Sequence, residues 1–287
     1  MFISGRYLVL ILLLTGLPCM TGNLAAQEIR VISFNIRYDN PNDGPNAWEN
    51  RKEIVTETLT GYSPDIVGIQ EALKHQVDTI GRYFGAAGDT GMIMNGNNEY
   101  CAILYNTGRL TPVKSGGFWL SETPGFRSSG WDASLERICT HLTLQVIETG
   151  TRILVINTHF DHLGNKAREQ SARLIMDTLP YLNPEDLPVI LTGDLNCLPG
   201  SGPISIISEE LRDAHDISEN PPGGPLGTFN GFDAGNVPET RIDYVFVSDD
   251  FTVTDYAVGN VIRNGVFVSD HFPVIADMEL TDEQNKK

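Results

Sequence analysis

Short runs of apolar, β-branched residues punctuate the chain, and most of them stop on an amide, an acid or an imidazole. "RVISFN" closes on Asn35, "DIVGIQE" on Gln70 and Glu71, "ILVINTH" on Asn157 and His159, and "VILTGDLN" on Asp194 and Asn196. Asp243 stands in "RIDYVFV", and Asp270-His271 directly precedes "FPVIA". Runs this short, bounded by Gly, Pro, Asn and Asp, read as buried strands. A lone acid at a strand end is usually a turn residue. Six such endings in one domain carry more weight, because strand ends at one edge of a sheet converge in space.

Strands are expected over 29–36, 65–69, 101–105, 138–147, 152–157, 189–192, 242–247 and 274–280, and helices over 48–60, 73–83, 166–179 and 202–208. The stretches 39–47, 114–134 and 218–241 read as long loops of the kind that line a site. With 41% hydrophobic residues and 28 scattered glycines among 287 residues, disorder, collagen and coiled coil are excluded. No linker, charge block or repeat divides the chain, so one domain is expected over 27–281, followed by a polar tail at 282–287. The net charge of −17 argues against a protein that grips long nucleic acid by bulk charge.

Residues 1–26 read as a secretory signal peptide: Arg6, an apolar run over 7–14, a breaker pair at Gly16 and Pro18, and small residues at Ala25 and Ala26. An exported protein, periplasmic or extracellular, is therefore expected, with a lipid anchor through Cys19 as the lesser alternative. No later segment approaches the ~20 apolar residues of a spanning helix, so no transmembrane segment is expected. Cys101, Cys139 and Cys197 match no metal knuckle. They read as buried thiols, with a Cys101–Cys139 bridge left open.

Hard oxygen ligands without a cysteine or histidine cluster suit Mg²⁺ or Mn²⁺ better than zinc. A carboxylate and a carboxylate-oriented imidazole can manage a nucleophilic water and the charge that builds on phosphorus. Together they point to metal-assisted phosphoester hydrolysis.

The strings "SFNIR", "GIQEA", "NTH", "TGDLN", "RIDYVFV" and "SDHFPV", in that order over nearly the whole chain, resemble the endonuclease/exonuclease/phosphatase superfamily. The resemblance implies an α/β fold: a four-layer α/β/β/α sandwich with two mixed β-sheets, like that of pancreatic deoxyribonuclease, and a site at one end. It also implies roles. Glu71 is the principal metal ligand, with Asn35 beside it and Asp270 contributing. Asp194 orients or deprotonates the attacking water, and Asn196 steadies it and the phosphate. His271 faces the scissile phosphate with Asp243 holding its far nitrogen; His159 is the second histidine, supported by Glu99. Two departures stand out. "ETRIDYVFV" lacks the Trp-Cys-Asp-Arg string of inositol-polyphosphate phosphatases, and Arg37 stands where apurinic endonucleases place Asn or Asp. "TGDLNCLPGSG" and "WENRKEIV" are more similar to the deadenylase and nocturnin-like branch.

Other side chains have two readings each. Arg168 is a bidentate phosphate clamp or a solvated helix arginine. His162, with Asp161 beside it, is a pocket contact or a loop residue. Phe229 and Phe232 stack a nucleobase or anchor a loop. Trp119, Trp131 and Asp132 shape a substrate wall or only their own loop. Arg51 braces the site loops through a carboxylate or is exposed. The expected function is that of an exported Mg²⁺/Mn²⁺-dependent phosphodiesterase, nuclease-like, working from a 3′ end in one form, on short nucleic acid or small phosphoesters. A phosphatase or diesterase for lipid or sugar phosphates is the alternative, and a non-catalytic binding module on the same fold the third.

Overall fold

The computed structural model describes Met1 and residues 27–84, 98–235 and 237–281. Apart from Met1, the leader expected over 1–26 lies outside the described residues, as does the tail over 282–287. Two mixed sheets carry the fold. The first contains β1 (Glu28–Asn35), β2 (Ile66–Ala72) and β3 (Tyr100–Tyr105). The second contains β4 (Leu110–Trp119), β5 (Ile138–Val146), β6 (Arg152–His159), β7 (Val189–Asp194), β8 (Arg212–Asp213) and β9 (Asp243–Val247). The chain then returns to the first sheet with β10 (Phe251–Val258) and, after the small β11 (Ile262–Arg263) and β12 (Val266–Phe267) ribbon, with β13 (Val274–Leu280). The strand orders are β10-β13-β1-β2-β3 and β4-β5-β6-β7-β9-β8. β1–β2 and β6–β7 are the parallel pairs that set the two halves of the site.

The sheets pack face to face because alternate residues of each strand serve different cores. Ile153, Val155, Ile190, Val245 and Val247 point between the sheets. Leu154, Ile156, Leu191, Tyr244 and Phe246 point outward, under α3 (Asn165–Leu182) and α4 (Gly202–Ile207). α1 (Trp48–Tyr62) and α2 (Lys74–Phe84) supply Ile54, Val55, Leu59, Val77 and Ile80 to the core of the first sheet. The four layers expected from the sequence are thus present.

Toward one end the inter-sheet contact turns polar. Asn157 Nδ2 donates to the carbonyls of Ile69 and Ala102, both at 2.9 Å, and Gln70 Nε2 donates to Asn157 Oδ1 at 2.7 Å. These two strand-end amides therefore tie the sheets together rather than face solvent. The approach is so close at Gly68 that a Cβ there would lie 2.0 Å from Thr192 Oγ1.

Three expectations change. The 114–134 loop begins inside β4, which the sequence hides because Pro112, Gly116 and Gly117 interrupt a strand exposed along most of its length. The alternating β10 was also missed, as was the one-turn α5 (Ala214–Ile217). β6 and β7 extend two residues further than expected and carry His159 and Asp194 inside the sheet. Cys101, Cys139 and Cys197 are buried and free, so the bridge left open is not formed. Among the described residues, no helix is long and apolar enough to cross a membrane.

Candidate active site

Register assembles the site. His159, Asp194 and Asp243 occupy one row across β6, β7 and β9, paired His159 to Asp194 and Asp194 to Asp243. On the facing sheet Asn35 pairs with Gln70, and Glu71 follows. Asn35 joins the two halves, donating from Nδ2 to Glu71 Oε1 at 3.0 Å and to Asp194 Oδ2 at 2.9 Å. His271 enters from the turn before β13 and is bridged to Phe229. Arg37, Glu71 and Asn196 all hold positive φ, at 58°, 63° and 48°. Left-handed backbone at non-glycine residues costs on the order of 1 kcal/mol each and gathers where a fold over-determines a site.

The inner half is dry. His271 Nδ1 lies 2.8 Å from Asp243 Oδ2, and its Nε2 lies 3.7 Å from Asp194 Oδ2; all three residues are buried. Burial, with the charge of Asp243, pushes the Asp194 carboxyl well up from the usual carboxylate range, while His271 and Asn35 pull it back. Burial opposes the charged form of His271, but Asp243 and Asp194 outweigh it and hold the imidazole well above its ordinary value. A base with a raised pKa beside a fixed imidazolium suits proton transfer near neutrality.

His159 is a different kind of histidine. Its Nε2 lies 3.2 Å from Asn196 Nδ2 and 3.5 Å from Asp194 Oδ2. Burial, then Arg137, His271 and His162, drive its pKa well below the ordinary value, so it is neutral. Asn196 is set by its own backbone N–H donating to Asp194 Oδ1 at 3.0 Å and by Nδ2 donating to the Phe160 carbonyl at 3.1 Å. The support expected from Glu99 is not made: His159 Nδ1 is buried and has no hydrogen-bond partner. Glu99 is buried just before β3, whose hydrogen bonds run to β2, and its carboxylate does not meet that nitrogen.

The outer half is wetter and richer in carboxylates. Glu71 Oε2 and Asp270 Oδ2 lie 3.9 and 3.7 Å from Arg37 Nη1. Burial raises the Asp270 carboxyl, and Glu71 adds to the shift. Arg51 is fully buried and grips no carboxylate. It donates to the carbonyls of Asn46, Ile36, Arg37 and Val268, bracing the segments that carry Arg37 and Asp270, and burial lowers it to about 10.

Two groups invite a cation. Asp194, Asp243 and His271 present ligand atoms within 4.8 Å of one another. The His271–Asp243 hydrogen bond already commits that imidazole, so the trio reads as proton-handling groups. Glu71 and Asp270 offer carboxylate oxygens that already draw an arginine toward them, and the buried Asn35 amide beside them has a carbonyl oxygen that accepts from the Arg37 N–H. A hard divalent ion fits this second set.

At the rim, Phe229 is 43% exposed, and its ring sits edge-on to His271 with centroids 5.0 Å apart. Arg168 Nη1 donates to the Asp161 carbonyl at 2.9 Å, and Nη2 reaches Asn165 Oδ1. It is a half-buried brace at the start of α3. His162 is exposed, with Arg137 Nη2 3.3 Å from its Nδ1. Asp161 is an anchor, not a pocket wall: it accepts from the backbone of Ser134, Leu135, Leu163 and Gly164 and from the Ser134 hydroxyl. Asp132 accepts from the Ala167 and Lys166 N–H groups at the start of α3. Phe232 packs on Phe267 as a loop anchor. Sequence reasoning missed Arg137, which is buried behind His159 and His162. The available signal was a charged residue directly before the apolar run of β5, on the antiparallel partner of the strand ending in His159.

Fold and site define a hydrolase of phosphate esters built on two facing mixed sheets. The model of the Endonuclease/Exonuclease/phosphatase family matches residues 32–271, and the chain belongs to that family, whose members are metal-dependent phosphoester hydrolases. Among solved structures, a family member from Bacteroides thetaiotaomicron is 33% identical with a TM-score of 0.82, covering 90% of this chain and 100% of that one. A mannosyl-6-phosphatase of the same organism is 34% identical with a TM-score of 0.79, covering 88% and 100%. Human nocturnin is 22% identical over 90% of this chain, which spans only 66% of that protein; its catalytic domain shares the fold at a TM-score of 0.69.

Proposed function

We propose that the chain is an exported, Mg²⁺- or Mn²⁺-dependent hydrolase of small phosphoesters. The observation that carries this reading is the single Asn35 amide bridging Glu71 to Asp194, while Asp194 faces a His271–Asp243 pair. In this reading an oxygen-rich cation site lies beside a base and a fixed imidazolium, supported by those contacts. A divalent ion held by Glu71, Asn35 and Asp270 would supply Lewis acidity at the phosphate.

The protein's own groups do the rest. Asp194, raised by burial, accepts the proton of the attacking water. Asn196, locked in a left-handed conformation against His159 and Phe160, orients that water and a phosphate oxygen. His271, kept cationic by Asp243, meets the charge that develops on the phosphoryl group. His159 stays neutral, so the pocket holds one imidazolium rather than two. Phe229 and His162 form the rim that contacts the rest of the substrate, and Arg168, the expected clamp, braces that rim through Asp161 and Asn165.

Two ester classes compete. The motif wording shared with the nocturnin-like branch supports a diester, nuclease-like reading on short nucleic acid, including attack from a 3′ end. The likeness to a mannosyl-6-phosphatase, at 34% identity over 88% of this chain, favours a phosphomonoester, with sugar phosphates foremost. Hydrolysis of para-nitrophenyl phosphate and its bis-ester, with Mg²⁺ or Mn²⁺ and then EDTA, separates them. Turnover with metal and none with EDTA is expected. Inertness toward both esters and toward a panel of short RNA, short DNA and sugar phosphates would sink the reading. Export is tested by the amino terminus of the protein recovered outside the cytoplasm, expected at Gln27.

A further inference from the structure

Arg37 is built into the site more firmly than a surface arginine needs to be. Its backbone holds φ 58°, its N–H donates to Asn35 Oδ1 at 3.0 Å, and its carbonyl accepts from Arg51 Nη2 at 2.8 Å and Gln76 Nε2 at 3.0 Å. The side chain is clamped as well. Nε and Nη2 fork onto the two oxygens of Asp43 at 3.1 and 3.2 Å, and the guanidinium lies 4.6 Å from the centre of the Tyr38 ring. Asp43 is itself held by Asn40 Nδ2 at 2.9 Å.

One edge of the fork remains. Nη1 faces Glu71 and Asp270 at 3.9 and 3.7 Å, near enough for charge attraction but too far for a hydrogen bond. Had Arg37 only to neutralise those carboxylates, the fork would close on them. Instead Asp43 takes the fork, and an immobilised N–H₂ group is left at the mouth of the site, next to the residues that fit a cation. The side chain as a whole is 24% exposed.

We propose that Arg37 recognises the second negative charge of a phosphate dianion and thereby makes this site one for phosphomonoesters. A diester carries a single charge over two non-bridging oxygens, which a divalent ion and His271 can contact between them. A monoester carries two above neutral pH, and its additional anionic oxygen requires a further fixed donor. A guanidinium held in advance loses little entropy in making that contact. The inference rests on the phosphoester-hydrolase reading and narrows it.

The test uses the full chain with Mn²⁺ at pH 8. Para-nitrophenyl phosphate, its bis-ester and inorganic phosphate are compared for wild type, Arg37→Gly, Arg37→Lys and Asp43→Asn. Glycine suits φ 58°, so Arg37→Gly keeps the fold while removing the donor. Its kcat/KM is expected to fall ~100-fold on the monoester and only about threefold on the diester, the scale of one charged hydrogen bond. Inorganic phosphate affinity, read by calorimetry, falls in parallel with the monoester. Arg37→Lys keeps the charge without the fork and recovers part of the loss, and Asp43→Asn, which loosens the clamp, lies between. Equal losses on both esters, or phosphate affinity unchanged in Arg37→Gly, would overturn the proposal. Should wild type hydrolyse neither ester while phosphate binding still depends on Arg37, the hydrolase reading fails and the anion site stands.

Discussion

Strand β1 carries a cluster of charged side chains at each end, and the two are constructed on opposite rules. Near its start, Arg30 forks onto Asp277 at 2.6 and 2.8 Å and donates from Nη1 to the Tyr62 carbonyl at 2.7 Å. Asp65 accepts from the Arg30 backbone at 3.0 Å and from Arg109 Nη1 at 2.7 Å, while Arg109 Nη2 takes the Glu28 carbonyl. At its far end, Asn35 opens a cluster in which Asp243 Oδ1 and His159 Nδ1 are buried without partners and Arg37 Nη1 bonds to no side chain. A surface cavity of about 320 Å³ lies at the paired end. The two ends of β1 differ in unfinished hydrogen bonding, and a fully paired charge has no capacity left for a substrate.

The contrast breaks most readily at Asp194 and His271. Asp194→Asn and His271→Ala are expected to lower turnover by ~10³–10⁴-fold while the fold survives, since the proposed mechanism puts both on reacting atoms. Near-wild-type rates in either would dismiss the assignment. Asp194→Asn carries a second signature. Its raised carboxyl binds a proton more tightly folded than unfolded, so wild-type stability falls as pH climbs from the ordinary carboxylate range through the folded value. His271, also raised, stabilises fully below its unfolded value of ~6.5 and loses that contribution as pH rises through its folded value. Both slopes run the same way. Melting curves in EDTA from pH 5 to 9 should therefore decline for wild type. The Asn variant should decline less and melt higher at the alkaline end.

Arg51 comes next. Arg51→Met leaves four carbonyls around a buried side chain without their donor, and a loss of about 3 kcal/mol is expected, read by chemical denaturation. Because Arg51 supports the backbone of Arg37 and Val268, activity should fall with stability. Asp65→Asn, at the paired end, should cost about 1–2 kcal/mol and leave kcat/KM as it was. A rate change there without a change in stability would blur the distinction between the two ends.

How much of this was readable in the amino-acid order follows from what each residue depends on. Strand-ending Asp194, His159 and Glu71 were legible because short apolar runs fix where an edge falls, and the edge gathers its terminal residues. β4 was hidden because an edge strand tolerates Pro112 and paired glycines that a central strand would not. Gln70 and Asn157 looked like site residues and proved to be inter-sheet ties. Period alone places them at the edge but does not say which face they take once two sheets meet. Arg37, Arg51 and Arg137 were the least legible. Their roles are set by which carbonyls and carboxylates lie within reach, from Asn46, five residues before Arg51, to Val268, 217 residues after it, and no local pattern encodes the distant partners.

The smallest expected effect is at Phe229, and it tests whether the rim belongs to the reactive end at all. The ring meets His271 edge-on, 5.0 Å between centroids and 65° between planes, yet is 43% exposed. Such a pair contributes about 0.5–1.5 kcal/mol, and the exposed face adds little to folding. Phe229→Ala should therefore change melting by no more than a degree or two, which is the scale of the lower half of that range. If the ring contacts substrate, KM rises several-fold while kcat holds. If it only steadies the imidazole, kcat falls by about threefold with KM fixed, and Phe229→Leu, which restores packing without an aromatic face, recovers the rate. No change in either constant would return Phe229 to the loop and end the active cluster at His271.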